Sequence, residues 1–365
     1  MEVMREAAAR EKAGLEVLHL EVGQPATPAP AAVLEAARRA LDDDRLGYTV
    51  ALGHQPLREA IAAHYADWYD EIVDPSRIVV TQGASGAFVL IFIAAFAPGS
   101  RVAVTSPGYP CYRNTLTALG MEAVDVPLSA ESGFRLTPDD LEAAGDLDGV
   151  MLASPSNPTG TVLRPGALAE LAEYCATRDI TLISDEIYHG ITFGTPAETA
   201  VGLPGDPIVV NSFSKYYSMT GWRLGWTVLP TGLLTPVERL AQNLTIAPPT
   251  LAQLAAVAAF DATAELDANV ARYRANRDLM VSRLPEMGLD RLAPADGAFY
   301  VWADVSHLTD DSQDLCRRWL SELGVAATPG IDFDPTRGNR YVRFSYAGDR
   351  DEIARALDRL APSLT

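Results

Sequence analysis

The sequence predicts an α/β fold: a large unit built on a mainly parallel sheet with helices on both faces, and a smaller α+β unit. Three observations predict it. At roughly 150 residues per domain, 365 residues suffice for about two domains. Between residues 77 and 211 short β-branched runs alternate with helical patterns, as crossover connections of a parallel sheet require. After about residue 265 that alternation stops, and a long helix leads into spaced strands. The expected division is 42–266 for the large unit and 1–41 with 267–365 for the small one. The N-terminal stretch 18–41 is too short to fold alone and is expected to complete the small unit.

In order along the chain, strands are expected at 77–81, 101–105, 121–126, 149–153, 180–184 and 207–211. Helices are expected at 84–97, from Pro110 to Gly120, and at 166–178. The apolar run Phe88 to Ala97 is about half a membrane span, so it reads as a buried helix. The smaller unit should hold a helix at 267–284, strands at 298–303, 324–327 and 340–346, and helices at 312–323 and 351–360. In a parallel sheet, ligands gather at the carboxyl ends of the strands. Chemistry is therefore sought just after each one.

Composition narrows the function classes. The charge balance, 29 basic against 48 acidic residues, is −19, and no basic stripe offsets it, so nucleic-acid and anionic-membrane partners are not expected. Cys111, Cys175 and Cys316 are widely spaced, and the five histidines form no HExxH or close pair, so neither a disulfide framework nor a metal site is expected. Residues 1–12 are charged and lack the apolar core of a signal peptide; a cytoplasmic protein is expected. Lysine is nearly absent: Lys12 and Lys215 stand against 27 arginines.

Four strand ends carry polar clusters. Gln82-Gly83-Ala84-Ser85-Gly86 opens a helix, whose free N–H groups suit a phosphate. Ser154-Pro155-Ser156-Asn157-Pro158-Thr159-Gly160 is a loop stiffened by two prolines and presenting Asn157. Asp185-Glu186-Ile187-Tyr188 places an acid directly after a buried strand, a costly site unless a cation meets it. Ser212-Phe213-Ser214-Lys215 leads to Met219-Thr220-Gly221-Trp222-Arg223-Leu224-Gly225. A confined lysine can have its pKa lowered and form a Schiff base with a carbonyl. A lysine for an aldehyde, an acid for a pyridinium nitrogen, and hydroxyls, an arginine and a helix N-terminus for a phosphate together describe a pyridoxal 5'-phosphate site.

With these blocks in place the chain resembles the fold-type I, class I/II aminotransferases, along nearly its whole length from Gly23 to Arg343. The S-F-S-K-x-x-S-M-T-G-W-R-L-G block is the most specific, and N-P-T-G and D-E-I-Y corroborate it. The resemblance implies a seven-stranded large-domain sheet and pyridoxal phosphate bound covalently to Lys215, which also carries the proton in catalysis. It implies that Asp185 pairs with the ring nitrogen, while Asn157 and Tyr188 contact the ring oxygen. Ser212, Arg223 and the backbone at Gly83, Ala84 and Ser85 would hold the phosphate, and Tyr109 would stack on the ring. Tyr48 resembles the tyrosine that reaches the partner subunit's phosphate, implying a homodimer with shared active sites. Arg343, in the period-2 run Tyr341 to Tyr346, matches the arginine that grips the substrate α-carboxylate, and Gly23 the glycine whose backbone approaches substrate. Asp334 departs from the family pattern, in which glycine usually follows the phenylalanine.

The implied activity is amino transfer between an α-amino acid and a 2-oxo acid. The alternative is another pyridoxal phosphate reaction on the same fold, such as elimination, decarboxylation or cyclisation. The loop Asn243 to Pro249 has no cation for a distal carboxylate, so a neutral or aromatic amino donor is expected. The exception would be an arginine such as Arg113 folding into the cleft.

Overall fold

A computed structural model describes residues 2–364. Helix α1 (Glu2–Lys12) opens it, followed by strand β1 (Leu18–His19) and helices α2 (Ala31–Asp43) and α3 (Gln55–Tyr69). Pro56 lies in the first turn of α3, where a missing N–H leaves no hydrogen bond unmade.

Seven strands form the central sheet: β2 (Ile78–Thr81), β3 (Arg101–Ser106), β4 (Glu122–Pro127), β5 (Gly149–Ala153), β6 (Thr181–Asp185), β7 (Ile208–Ser212) and β8 (Gly225–Val228). Their spatial order is β2-β8-β7-β6-β5-β3-β4. Strands β4, β3, β5, β6 and β7 run parallel, and β8 is antiparallel to both neighbours. All six expected strands occur with ends within one residue. The seventh, β8, was not expected, because four residues that begin with Gly225 and stop just before Leu229-Pro230 are too short to show a period. Strands β5, β6 and β7 lie side by side, so the three polar clusters at their carboxyl ends converge.

Helices α4 (Gly83–Ala95), α5 (Pro110–Ala118), α6 (Pro138–Ala143) and α7 (Ala167–Ala176) cover the sheet. Helix α4 is apolar nearly all round: Phe88, Ile91 and Phe92 are buried with Val79, Val102 and Val210 of the strands. Burial of such side chains contributes roughly 1.5–3 kcal/mol each. At α6 the Thr137 hydroxyl accepts from the Asp140 N–H while the Asp140 carboxylate accepts from the Thr137 N–H, a reciprocal cap contributing about 1 kcal/mol.

Helices α8 (Thr231–Leu244), α9 (Thr250–Ala256) and α10 (Thr263–Glu286) lead to strand β9 (Tyr300–Asp304), helix α11 (Ser312–Arg318), strands β10 (Val325–Ala326), β11 (Thr328–Pro329) and β12 (Tyr341–Ser345), and helix α12 (Arg350–Leu360). Strands β11, β12 and β9 form an antiparallel sheet, and β10 pairs in parallel with β1. The single strand expected at 324–327 is thus two short strands with different partners, parted at Ala327. The helix expected to run to 323 is regular only to Arg318; residues 319–323 continue in a wider turn. Helices α1, α2, α3, α6, α8 and α9 were not expected; α8 carries Pro236 inside it, which disguises the pattern. Among the described residues no helix is long and apolar enough to cross a membrane.

Candidate active site

A cleft of about 870 Å³ opens between the carboxyl ends of the central strands and the antiparallel sheet. Its wall includes Asp185, Asn157, Tyr188, Lys215, Arg223 and Arg343, drawn from five separate stretches of chain.

Asp185 closes β6 and is 2% exposed. Its Oδ2 accepts a hydrogen bond from the Tyr112 hydroxyl at 2.5 Å, and Oδ1 accepts from the Ile187 N–H at 3.1 Å. Burial pushes its pKa up to about 6; those two donors and the charge of Lys215 hold it from rising further. Its neighbour Glu186 is fully buried, and its carboxylate is enclosed by the Ala200 N–H at 2.7 Å and the Thr199 hydroxyl at 2.9 Å. The consecutive acids therefore differ in kind: Asp185 lines the cleft, while Glu186 is committed to the protein. Tyr112, one turn beyond Tyr109 on α5, was missed by sequence reading; the i, i+3 spacing in Tyr109-Pro110-Cys111-Tyr112 was its only signal.

The Lys215 amine donates to the Gly23 carbonyl at 2.6 Å. Burial, then the Arg343 charge, lower its pKa to about 8, and Asp185 opposes the shift. Gly23 has no room for a side chain: an added Cβ would lie 1.8 Å from the Tyr300 hydroxyl oxygen. Tyr300, also missed, meets the Tyr188 hydroxyl at 2.8 Å and lines the cleft. It sits in β9, a continuous apolar run that reads equally well as core.

Arg343 lies mid-strand in β12 and is 7% exposed. It donates to the Asn157 side-chain oxygen at 2.9 Å and to the Glu21 carbonyl at 2.6 Å, with the Thr328 hydroxyl at 3.3 Å. The guanidinium packs over the rings of Tyr300 and Phe333. Its Nε is buried without a partner, which makes it a donor waiting for an anion.

At the other end of the cleft, Ala84 and Ser85 lie in the first turn of α4, whose leading N–H groups have no intrahelical acceptor. Arg223 has φ +54° and donates to the Thr220 carbonyl at 3.0 Å. Gly83 has φ +71°, and a Cβ there would lie 2.6 Å from an Arg223 nitrogen. Arginine and helix end therefore touch because that residue is glycine. Ser212 sits just behind the wall, its hydroxyl bonding to the Leu224 carbonyl at 3.0 Å and to Ser214 at 2.9 Å. Ser214 takes the wall position instead.

Tyr109 precedes α5, lines the cleft and stands edge-on to Tyr112. Tyr48 is 83% exposed and does not line this cleft. Arg113 does line it, but its guanidinium is engaged with Asp125. Asp334 is spent on its own turn, accepting from the N–H groups of Thr336 and Arg337 and from the Arg337 side chain. Among the described residues no cluster of His, Cys, Asp and Glu could hold a metal ion.

Comparison with known proteins decides what this arrangement belongs to. Residues 16–360 match the aminotransferase class I and II model. The chain belongs to that family. It is 49% identical to the valine–pyruvate aminotransferase of Mycobacterium tuberculosis, over 99% of this chain and 94% of that protein. An arginine–pyruvate transaminase of Pseudomonas aeruginosa is 33% identical, over 97% and 92%. The crystal structure of an aminotransferase from M. tuberculosis superposes with a TM-score of 0.97 at 49% identity, covering 100% of this chain and 95% of that one. Aspartate aminotransferase from Thermus thermophilus with maleate gives 0.95 at 31%, covering 99% and 95%. As a class I/II aminotransferase, the protein moves amino groups between amino acids and 2-oxo acids, and the family depends on pyridoxal phosphate.

The residues present suit that cofactor. A buried acid with one face open to the cleft can meet a protonated ring nitrogen, and the α4 terminus with Arg223 and Ser214 can meet a phosphate.

Proposed function

We propose that the protein transfers the amino group of a neutral or aromatic amino acid to a 2-oxo acid, with Lys215 as the attachment and proton-carrying residue. The observation that carries this reading is a lysine with a lowered pKa, set in one cleft with a buried acid and an arginine whose Nε lacks a partner. Pyridoxal phosphate, when bound, supplies an aldehyde carbon that carries the amino group and a ring that accepts the electrons of the broken Cα–H bond.

With a pKa near 8, the Lys215 amine is partly neutral at physiological pH, so it can attack a carbonyl and then carry the proton from the substrate Cα to the carbon that the cofactor's aldehyde would supply. Asp185 holds a proton on the ring nitrogen; at pH 7 and above its carboxylate is mostly ionised, as that role requires. The Asn157 side-chain oxygen is engaged with Arg343, which leaves its amide N–H groups free to donate to the ring oxygen alongside the Tyr188 hydroxyl. Gly83, Ala84 and Ser85 offer backbone N–H groups to the phosphate, Arg223 offers charge and Ser214 a hydroxyl, with Ser212 fixing Ser214 from behind. Tyr109 stacks on the ring. Arg343 binds the substrate α-carboxylate, and Gly23 lets the substrate approach the backbone.

The division into residues 42–266 and 1–41 with 267–365 belongs to this reading, supported by the separation of the central from the antiparallel sheet. So does a cytoplasmic homodimer in which Tyr48 completes the partner's phosphate site. The exposure of Tyr48, with Val50, Leu244 and Ile246 also exposed, supports it. Mixing inactive Lys215→Ala and Tyr48→Phe proteins should regenerate activity by subunit exchange; a monomer fully active on dilution would contradict the dimer.

The direct test is borohydride reduction and peptide mapping. Reduced cofactor should sit on Lys215, and Lys215→Ala should lose both the link and at least about 10³-fold in turnover. Cofactor mapped to Lys12 would overturn the assignment.

A further inference from the structure

One wall of the cleft comes from the chain's first helix. Val3, Met4 and Glu6 of α1 line it, together with Leu320 and Ile331. The helix is fixed in place. Val3 packs on the small apolar cluster of Ala7, Val17, Leu320 and Ala326. Arg10 donates to the Ser321 carbonyl at 2.9 Å. Glu11 reaches the His19 ring at 3.3 Å, and that ring meets Glu21 at 2.9 Å. Met4, by contrast, is 40% exposed, so among the described residues its thioether offers apolar surface to the cleft.

The charged groups of this wall are of both signs. Glu6 and Asp332 stand on it as carboxylates. Arg317, also on the wall, lies 3.6 Å from Asp314, a carboxylate that also accepts from the Arg318 Nε at 3.1 Å, and Arg113 is paired with Asp125. Arg343 is the strongly held cation, and the α-carboxylate claims it.

We infer that Met4 and Val3, with Leu320 and Ile331, form the subsite for the substrate side chain and select uncharged aliphatic groups by contact. This rests on the reading of the cleft as an amino-acid site. A flexible thioether adapts to branched chains of different size. One methylene more or less in such a pocket changes discrimination about tenfold or more.

The test compares wild type with Met4→Ala and Met4→Trp in the holoenzyme. The donors are alanine, valine, leucine, phenylalanine and aspartate, followed by the loss of the cofactor's absorption band. Acetate and 3-methylbutanoate serve as unreactive competitors. Met4→Ala should lower the valine-to-alanine and leucine-to-alanine ratios of kcat/KM about 5- to 10-fold, and weaken 3-methylbutanoate relative to acetate by a similar factor. Met4→Trp should lower the phenylalanine-to-alanine ratio instead. A wild type that prefers neutral donors while both variants keep all ratios within twofold would overturn the subsite alone. A wild type that prefers aspartate would overturn the neutral-donor reading and the subsite with it.

Discussion

The two sides of the cleft are built by different rules. On one side, Asn157, Asp185 and Lys215 follow three adjacent strands, so each lies where its own segment ends. On the other, Arg343, Tyr300 and Gly23 come from segments more than 40 residues apart and are held by one another. Gly23 takes the Lys215 amine on its carbonyl, Glu21 takes the Arg343 guanidinium, and Tyr300 fills the space Gly23 leaves. A strand-end residue is placed by local sequence and sheet order. A residue on the facing wall is placed by what touches it. Substitutions on the first side should therefore damage chemistry, and those on the second should damage binding.

The largest effect that would break this contrast belongs to Asp185. Asp185→Asn leaves the phosphate-binding groups in place but cannot hold a proton on the ring nitrogen. Its half-reaction rate should fall about 10²–10³-fold while cofactor retention changes little. A rate near wild type, measured by stopped-flow absorbance, would refute the assignment. Arg343→Ala comes next and should act on the opposite parameter. Its expected signature is a KM for the amino acid raised about 100-fold, corresponding to roughly 2.7 kcal/mol of lost charge-assisted binding, with a smaller change in kcat. Equal losses in both would move Arg343 to the chemical side.

The smallest expected effect concerns the wall's support. The hydrogen bond to Glu21 raises the His19 pKa from 6.5 to about 9, against a burial cost and with further help from Glu11. A group whose pKa is raised by folding stabilises fully below its unfolded value, here about 6.5, and loses that contribution as pH rises towards 9. His19 is a third exposed, so the change is modest. Calorimetric Tm should fall between pH 6.5 and 9.5, and His19→Gln should show a shallower fall. Lys215 titrates in the same window, so the difference between the two proteins is the relevant quantity. Identical slopes would remove His19 from the support of α1.

Sequence legibility divides along the same line. The parallel strands announced themselves through period and length, and with them the positions of Asp185 and Lys215. Strand β8 stayed hidden because four buried residues, the first of them a glycine, carry no period. Tyr112 and Tyr300 were invisible as site residues because an aromatic on a helix or strand face looks the same whether it meets core or cleft. Helix α1 was overlooked for a related reason. Its alanine-rich pattern says little of a partner until Leu320 and Ala326, over 300 residues later, supply one. Ser212 shows the finer limit: the motif offers two serines, and only the fold shows that the Ser212 hydroxyl bonds to Leu224 and Ser214 while Ser214 lines the cleft.

The scarcity of lysine turns the cleft into its own counter. Lys12 is exposed at the end of α1, and Lys215 is the single other ε-amine. An amine-directed reagent applied to the intact chain therefore has one ε-amine handle outside the cleft. A second ε-amine modification can come only from Lys215, and only in molecules where that amine is uncommitted. The mass increment per chain would thus report the fraction of lysine in use without any assay of turnover. Attachment to a solid support through Lys12 would orient each molecule by its first helix.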